Sequence, residues 1–309
     1  MKCSIWTFRR HVEVSSLGAS VTAVRDQVAD YVELTKPRIA MVVLVTTFAG
    51  MWLAAGPTLP ISLVLATLVG TCLASSSAGV LNNYIDRDID KLMSRTCERA
   101  TAAGRVDPQH VLYFGLALAG AAFLILVTTS NLLAASLAMG TIYFYVVIYT
   151  LWLKRSTDLC TEIGGVSGAL PPIIGWAAVT GDIGVPALLL FLIMFVWQPP
   201  HFWVLAMLRE DEYRKAGIPM LPVTAGPFIT KAKILLYTAA LIPCTMTLYY
   251  TGSTGTTYLA ISMLACVVYL VWTIDFVRRP LQRSYAIKLF LFSIAWLLIV
   301  FTAIFIDSH

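Results

Sequence analysis

Charge is what this chain of 309 residues has least of. Only 13% of the residues are Asp, Glu, Lys or Arg, against 58% hydrophobic, and the mean hydropathy is +0.78. That balance excludes an ordinary soluble domain. The six cysteines show no paired metal-binding spacing. Cys72, Cys244 and Cys266 lie in apolar runs and Cys97 and Cys160 in loops, so they read as small apolar fillers or reduced thiols. The glycine-rich stretch Gly164-Gly165-x2-Gly168 is followed by no Gly-Lys-Ser/Thr and preceded by no strand, which excludes a phosphate loop. Small residues at that spacing let membrane helices approach closely. The first thirty residues carry Arg9, Arg10 and scattered serines without a secretory apolar core. They read as an extension that is either a short targeting or surface-lying segment or a disordered tail.

What the chain has in abundance is long apolar runs. Segments able to cross a bilayer occur at about Ile39 to Ala55, Ile61 to Leu81, Val111 to Thr128, Leu132 to Leu153, Ile163 to Val179, Ala187 to Leu208, Ile234 to Tyr250, Tyr258 to Ile274 and Leu289 to Ile306. With the N-terminus placed inside, all 22 Lys and Arg fall on the inner side and the outer loops hold none. A missed or invented span would scatter that pattern, so nine spans and an N-in, C-out orientation support each other. The net charge of +5 is then a topological signature with affinity for phosphate or anionic lipid, and no nucleic-acid footprint.

The inner loops are unevenly polar. Asn82, Asp86 and Asp90 recur every four residues in Asn82-Asn83-Tyr84-Ile85-Asp86-Arg87-Asp88-Ile89-Asp90. On a helix they drift only about 40° per step and share one face. Like charges at that spacing repel, so they need a partner. A hard cation such as Mg2+, which favours carboxylate and amide oxygens and completes its shell with phosphates, supplies one; a solvated helix end is the plain alternative. A second acidic loop, Glu210-Asp211-Glu212, follows four spans later. That spacing suggests two related four-helix halves plus a last helix.

Two carboxylate clusters rimmed by basic residues at one membrane face suit ionisation of an allylic diphosphate. Metal and cations stabilise the leaving group, and a dry chamber protects the carbocation until an acceptor is prenylated. Candidate diphosphate ligands are Lys36, Arg38, Arg95, Arg99, Lys154, Arg155 and Arg209. Taken singly, each of them reads instead as a positive-inside determinant.

Asn82-x3-Asp86-x3-Asp90 followed by Met93-Ser94-Arg95-Thr96 resembles the first signature of the UbiA superfamily of intramembrane prenyltransferases. Tyr31-Val32-Glu33-Leu34-Thr35-Lys36-Pro37-Arg38 and Leu153-Lys154-Arg155-Ser156-Thr157 resemble its haem O synthase (protohaem IX farnesyltransferase) branch. So does Ile163 to Trp176. The strongest match is Trp197-Gln198-Pro199-Pro200-His201-Phe202-Trp203, continuing through Arg209, Asp211, Tyr213 and Ala216-Gly217-Ile218-Pro219-Met220-Leu221-Pro222-Val223. The resemblance runs from about Asp30 to Tyr237.

It implies farnesyl transfer from farnesyl diphosphate to a vinyl group of haem B, with Mg2+ serving the diphosphate. Asn82, Asp86, Asp90 and Asp211 would hold metal, with Glu212 beside them in the catalytic set. Two departures stand out. Glu212 occupies a position usually held by Asp, which lengthens its reach, and Ala100 replaces a proline after Arg99, which affects the loop's stiffness.

His201, with Trp197 and Tyr213, is a candidate for a haem pocket. For His201 alone three roles compete: touching haem iron or a propionate, accepting the proton lost after prenylation, or bonding a neighbouring helix. The expected fold is all-α, a polytopic membrane protein with nine helices around a central cavity. Residues 1–30 form an inner extension and 31–309 a single domain. The simplest location is a prokaryotic plasma membrane with the active site facing the cytoplasm; a mitochondrial inner membrane keeps the same topology. The expected partners are membrane lipid and a downstream haem A synthase. The competing functions are a related enzyme prenylating an aromatic quinone precursor, a secondary transporter and an oxidase-assembly scaffold. Clustered carboxylates at one face, away from the bilayer midplane, argue against transport.

Overall fold

The computed structural model describes residues 16–308, with side chains from Val24 onward. Among the described residues it is all-helical, and nine helices are long and apolar enough to cross a membrane. In order these spans are Pro37–Thr58, Ile61–Asp90, Pro108–Thr129, Leu132–Ser156, Cys160–Thr180, Val185–Met207, Leu221–Tyr250, Thr256–Arg278 and Arg283–Asp307. The nine apolar runs of the sequence each correspond to one of them.

The ends differ where polar residues continue a helix. Span two runs through Asp90 instead of stopping near Leu81. At 1.5 Å per residue its 30 residues reach about 45 Å, well beyond a hydrocarbon core of about 30 Å, so its last turns project out of the apolar layer. Span seven begins at Leu221, thirteen residues before the apolar run, because the helix resumes across a break at Gly226, whose φ of 76° only glycine adopts freely. Of the first thirty residues, those from Ser16 belong to a helix, Ser16–Leu34, that leads into span one. Residues 1–15 lie outside the described residues.

Three spans are irregular. Span four changes to π-helix over Phe144–Leu153. Span five is interrupted at Leu170, before Pro171 and Pro172. Span six carries Pro199 and Pro200 within its helix, both buried. Such breaks are tolerated in a membrane where neighbouring helices satisfy the freed backbone groups.

Spans one and five pack through glycine. A Cβ at Gly50 would overlap the carbonyl of Pro172, and one at Gly175 would overlap the carbonyl of Thr47. Gly164 and Gly168 do the same against Tyr149 and Gln198, and Gln198 Nε2 donates to the Gly165 carbonyl at 2.9 Å. The glycine-rich stretch is therefore a helix-packing surface, as its spacing predicts. One core cluster joins spans one, five, six, seven, eight and nine around Trp203, Trp296 and Phe301; another joins spans two to five around Leu126 and Ile174.

Candidate active site

The four-residue spacing at the end of span two does what helix geometry requires. Asn82, Asp86 and Asp90 are buried at 5%, 1% and 3% exposure, whereas the Asp88 side chain, off that face, is 72% exposed. Each member of the buried row meets a cation from elsewhere in the chain. Lys36 Nζ donates to Asn82 Oδ1 at 2.6 Å, Lys154 Nζ to Asp86 Oδ2 at 2.5 Å and Arg99 Nη1 to Asp90 Oδ2 at 2.8 Å. Arg155 lies 3.6 Å from Asp86 Oδ1, an oxygen that is buried and accepts no hydrogen bond.

Lys36 reaches this row from the turn between the first helix and span one. It is the only non-glycine residue with positive φ among the described residues (53°), a conformation that costs a lysine energy and is held here by the contact with Asn82. Pro37 then starts span one with its φ already helical. The residue is half-buried but its ammonium is enclosed. That burial, reinforced by Arg99 and Lys154 against the pull of Asp86 and Asp90, lowers the pKa to about 7.

Beside the carboxylates lies a cleft of about 370 Å³ lined by Lys36, Arg38, Arg95 and Arg99, with Glu33 and Asn83. Burial also lowers the pKa of Arg95. Four of the seven candidate diphosphate ligands thus share one cleft. Lys154 and Arg155 sit on Asp86, and Arg209 belongs to the other acidic loop, where it contacts Glu212 at 3.2 Å.

The two acidic loops are joined, though through a contact the sequence did not suggest. Glu212 accepts from the Ser94 backbone N–H at 3.1 Å and from Ser94 Oγ at 2.8 Å. Its longer side chain spans the two loops. Asp211 is exposed and has no ion pair or hydrogen bond. Among the described residues no three His, Cys, Asp or Glu side chains form a group able to hold a metal. The available donors are the buried carboxylates of Asp86 and Asp90 with the Asn82 amide, a set that suits an ion keeping water and phosphate oxygens in its shell.

The three aromatic candidates are divided. His201 stacks between Trp197 (4.5 Å) and Phe290 (4.3 Å), and its Nδ1 is 2.6 Å from Ser293 Oγ. Trp197 Nε1 donates to the Ser293 carbonyl at 2.8 Å. Both therefore bind span nine. Tyr213 packs in a separate cluster with Met93, Leu153 and Cys160, near the arginines, and burial raises its pKa. Sequence reading missed Thr150, whose hydroxyl lies 3.1 Å from Asn82 Nδ2. The available signal was spacing, since Thr150 precedes Lys154 by the same four residues that separate Asn82 from Asp86. It also missed the ion pair between Glu162 and Lys233 (2.9 Å), which joins spans five and seven.

Among the described residues, nine spans thus enclose a buried carboxylate row beside a cationic cleft, the arrangement of an integral membrane protein with its polar site at one end of the helices. Residues 43–306 match the UbiA prenyltransferase family, and the chain belongs to it. Among curated relatives, the protoheme IX farnesyltransferase of Gloeobacter violaceus is 49% identical over 90% of this chain and 92% of its own length. That of Aquifex aeolicus is 45% identical over 93% and 98%. Among solved structures, a digeranylgeranylglyceryl phosphate synthase superposes with a TM-score of 0.75 at 17% identity, over 91% of this chain and 98% of the other. A UbiA homolog from Archaeoglobus fulgidus bound to DMAPP and Mg2+ gives 0.64 at 13% identity, over 89% and 99%. These two show that the fold is shared.

Proposed function

We propose that this chain is a haem O synthase: it transfers the farnesyl group of farnesyl diphosphate to a vinyl group of haem B. The allylic C–O bond breaks and diphosphate leaves. The farnesyl cation is attacked by the vinyl group, a C–C bond forms, and water adds to the cation left beside the porphyrin, losing a proton to give a hydroxyl. The observation that carries the prenyl half is the cleft of Lys36, Arg38, Arg95 and Arg99 beside the Asn82, Asp86 and Asp90 row. The acceptor rests on the names of relatives that cover nearly the whole chain.

In this reading the cleft arginines bind the diphosphate oxygens in pairs, and Lys36 offers a single donor at the mouth of the carboxylate row. Asn82, Asp86 and Asp90 would hold Mg2+; the buried Oδ1 of Asp86, which accepts no hydrogen bond and meets Arg155 only at ion-pair distance (3.6 Å), supports that role. When bound, the ion neutralises charge on the leaving diphosphate. Lys154, Arg155 and Arg99 pair with the carboxylates, and Glu212, held by Arg209, secures the second loop over the first through Ser94. Asp211 faces solvent, open to a second ion. Trp197, His201 and Tyr213 remain the candidates for the haem side, His201 through its Nε2 edge.

The same reading places residues 31–309 in one domain of two four-helix halves and a last helix. It also sets the N-terminus and the active-site loops on the cytoplasmic side of a plasma membrane, with haem O passing on to a haem A synthase.

The test is to incubate membranes containing the protein with haem B, farnesyl diphosphate and Mg2+, and to look for the farnesylated, hydrated haem by chromatography and mass spectrometry. Product from the wild type and none from Asp86→Asn is the expected result. No product from membranes that retain the protein and the haem moves the acceptor to an aromatic quinone precursor.

A further inference from the structure

Spans two and four meet at their polar ends in a fixed register. Lys154 touches Asp86 and, one turn deeper in both helices, Thr150 touches Asn82, so each pair is 68 residues apart. A constant offset means that the two helices run parallel here, and Thr150 stands to Asn82 as Lys154 stands to Asp86.

The Thr150 hydroxyl has one hydrogen, and it is spent. It is donated to the Tyr145 carbonyl at 2.8 Å, five residues back. Threonines in regular helix bond three or four residues back, as Thr47 does to Val43 and Thr141 to Leu137. The longer step exists because Phe144–Leu153 is π-helical, and single π turns recur at functional sites. With its hydrogen committed, Thr150 Oγ1 can only accept from Asn82 Nδ2. The other Nδ2 hydrogen goes to Asp86 Oδ2 at 2.8 Å. Both amide hydrogens are then placed, and Oδ1 is turned towards Lys36, 2.6 Å away at the cationic cleft.

Of the three partners of that amide, two are groups that a diphosphate and its metal compete for. Lys36 lines the cleft, and Asp86 carries an oxygen that accepts no hydrogen bond and has Arg155 3.6 Å away. Thr150 alone has no reason to change partners. We propose that Thr150, set by the π turn of span four, is the positioning residue that keeps the Asn82 carbonyl oxygen directed at the cleft once substrate engages Lys36 and Asp86. The proposal rests on the prenyl diphosphate reading above.

Its test is binding of farnesyl thiodiphosphate, an unreactive analogue, to the purified full-length protein across a Mg2+ titration. Thr150→Val keeps the shape and removes the acceptor; Thr150→Ser keeps the hydroxyl. The expected loss in Thr150→Val is about five- to tenfold in affinity, with more Mg2+ needed for half-saturation, while Thr150→Ser stays within about twofold of wild type. Adding Thr150→Val to Asn82→Ala should cost nothing further, because the residue acts only through that amide. Wild-type affinity in Thr150→Val, equal losses in Val and Ser, or losses that multiply with Asn82→Ala would overturn the proposal. Failure of the wild type to bind the analogue would overturn the underlying reading and this proposal with it.

Discussion

Removing Lys233 should destabilise the protein more than removing its partner Glu162, although both deletions break the same ion pair. The two side chains meet at 2.9 Å with very different access to water: 11% of the Glu162 side chain is exposed against 33% of Lys233. Glu162 Oε2 is buried with no hydrogen-bond partner, and the lysine ammonium also lies 5.6 Å from the Trp203 ring. At an effective dielectric of about 20 the attraction is ~6 kcal/mol, most of which is offset by desolvation of the two charges.

Lys233→Leu leaves a carboxylate that cannot turn to water, and the expected cost is ~3–5 kcal/mol. Glu162→Leu leaves a lysine with a flexible stem that can extend to solvent, and the cost falls to ~1–2 kcal/mol. The double Leu variant should recover to within ~1 kcal/mol of wild type, since two apolar residues replace a desolvated pair. Denaturant-driven unfolding in mixed micelles, run as a double-mutant cycle, measures all three. Additive losses, or a larger loss for Glu162→Leu than for Lys233→Leu, would refute the reasoning.

Gly50→Ala and Gly175→Ala should each separate spans one and five, because the new methyl overlaps a carbonyl on the facing backbone; a loss of ~1–3 kcal/mol or failure to accumulate in the membrane is expected. Gly140→Ala, where no atom lies within 4 Å, should be neutral or raise the melting temperature. Asp307 at the end of span nine accepts from the Tyr258 backbone N–H at 2.7 Å, capping span eight from another helix, so Asp307→Ala should cost ~1 kcal/mol in the same unfolding assay. Lys36 changes its proton affinity on folding, from 10.5 to about 7, so the unfolded chain binds more protons between those values. Stability should therefore climb as pH rises from about 7 towards 10 and be flat in this respect below 7, a slope that Lys36→Met removes when melting is followed against pH.

The spans were legible because a helix that crosses the membrane needs an apolar run of bilayer length, and that Asn82, Asp86 and Asp90 share a face was legible because helical period is local. Span two's true end was less so, since Asp86 and Asp90 look like loop residues until Lys154 and Arg99 neutralise them, partners that only the folded chain brings near. The π segment left no trace in composition; Phe144 to Leu153 reads as any apolar helix. Glu162 and Lys233 were each explicable alone as span-end charges, and their pairing across 71 residues is a tertiary fact. His201 shows the reverse. Its structural bond was one of three readings, and the hydroxyl that supplies it, Ser293, lies 92 residues away.

The glycine contacts between spans one and five close one route to the lipid. Helices that touch backbone to backbone at two levels, Gly50 on Pro172 and Gly175 on Thr47, leave no slot between them for a branched isoprenoid tail. On the proposed reading, a farnesyl chain bound at the cleft beside Lys36 would have to slide in and out between other helices, with that seam as a wall to its lateral movement.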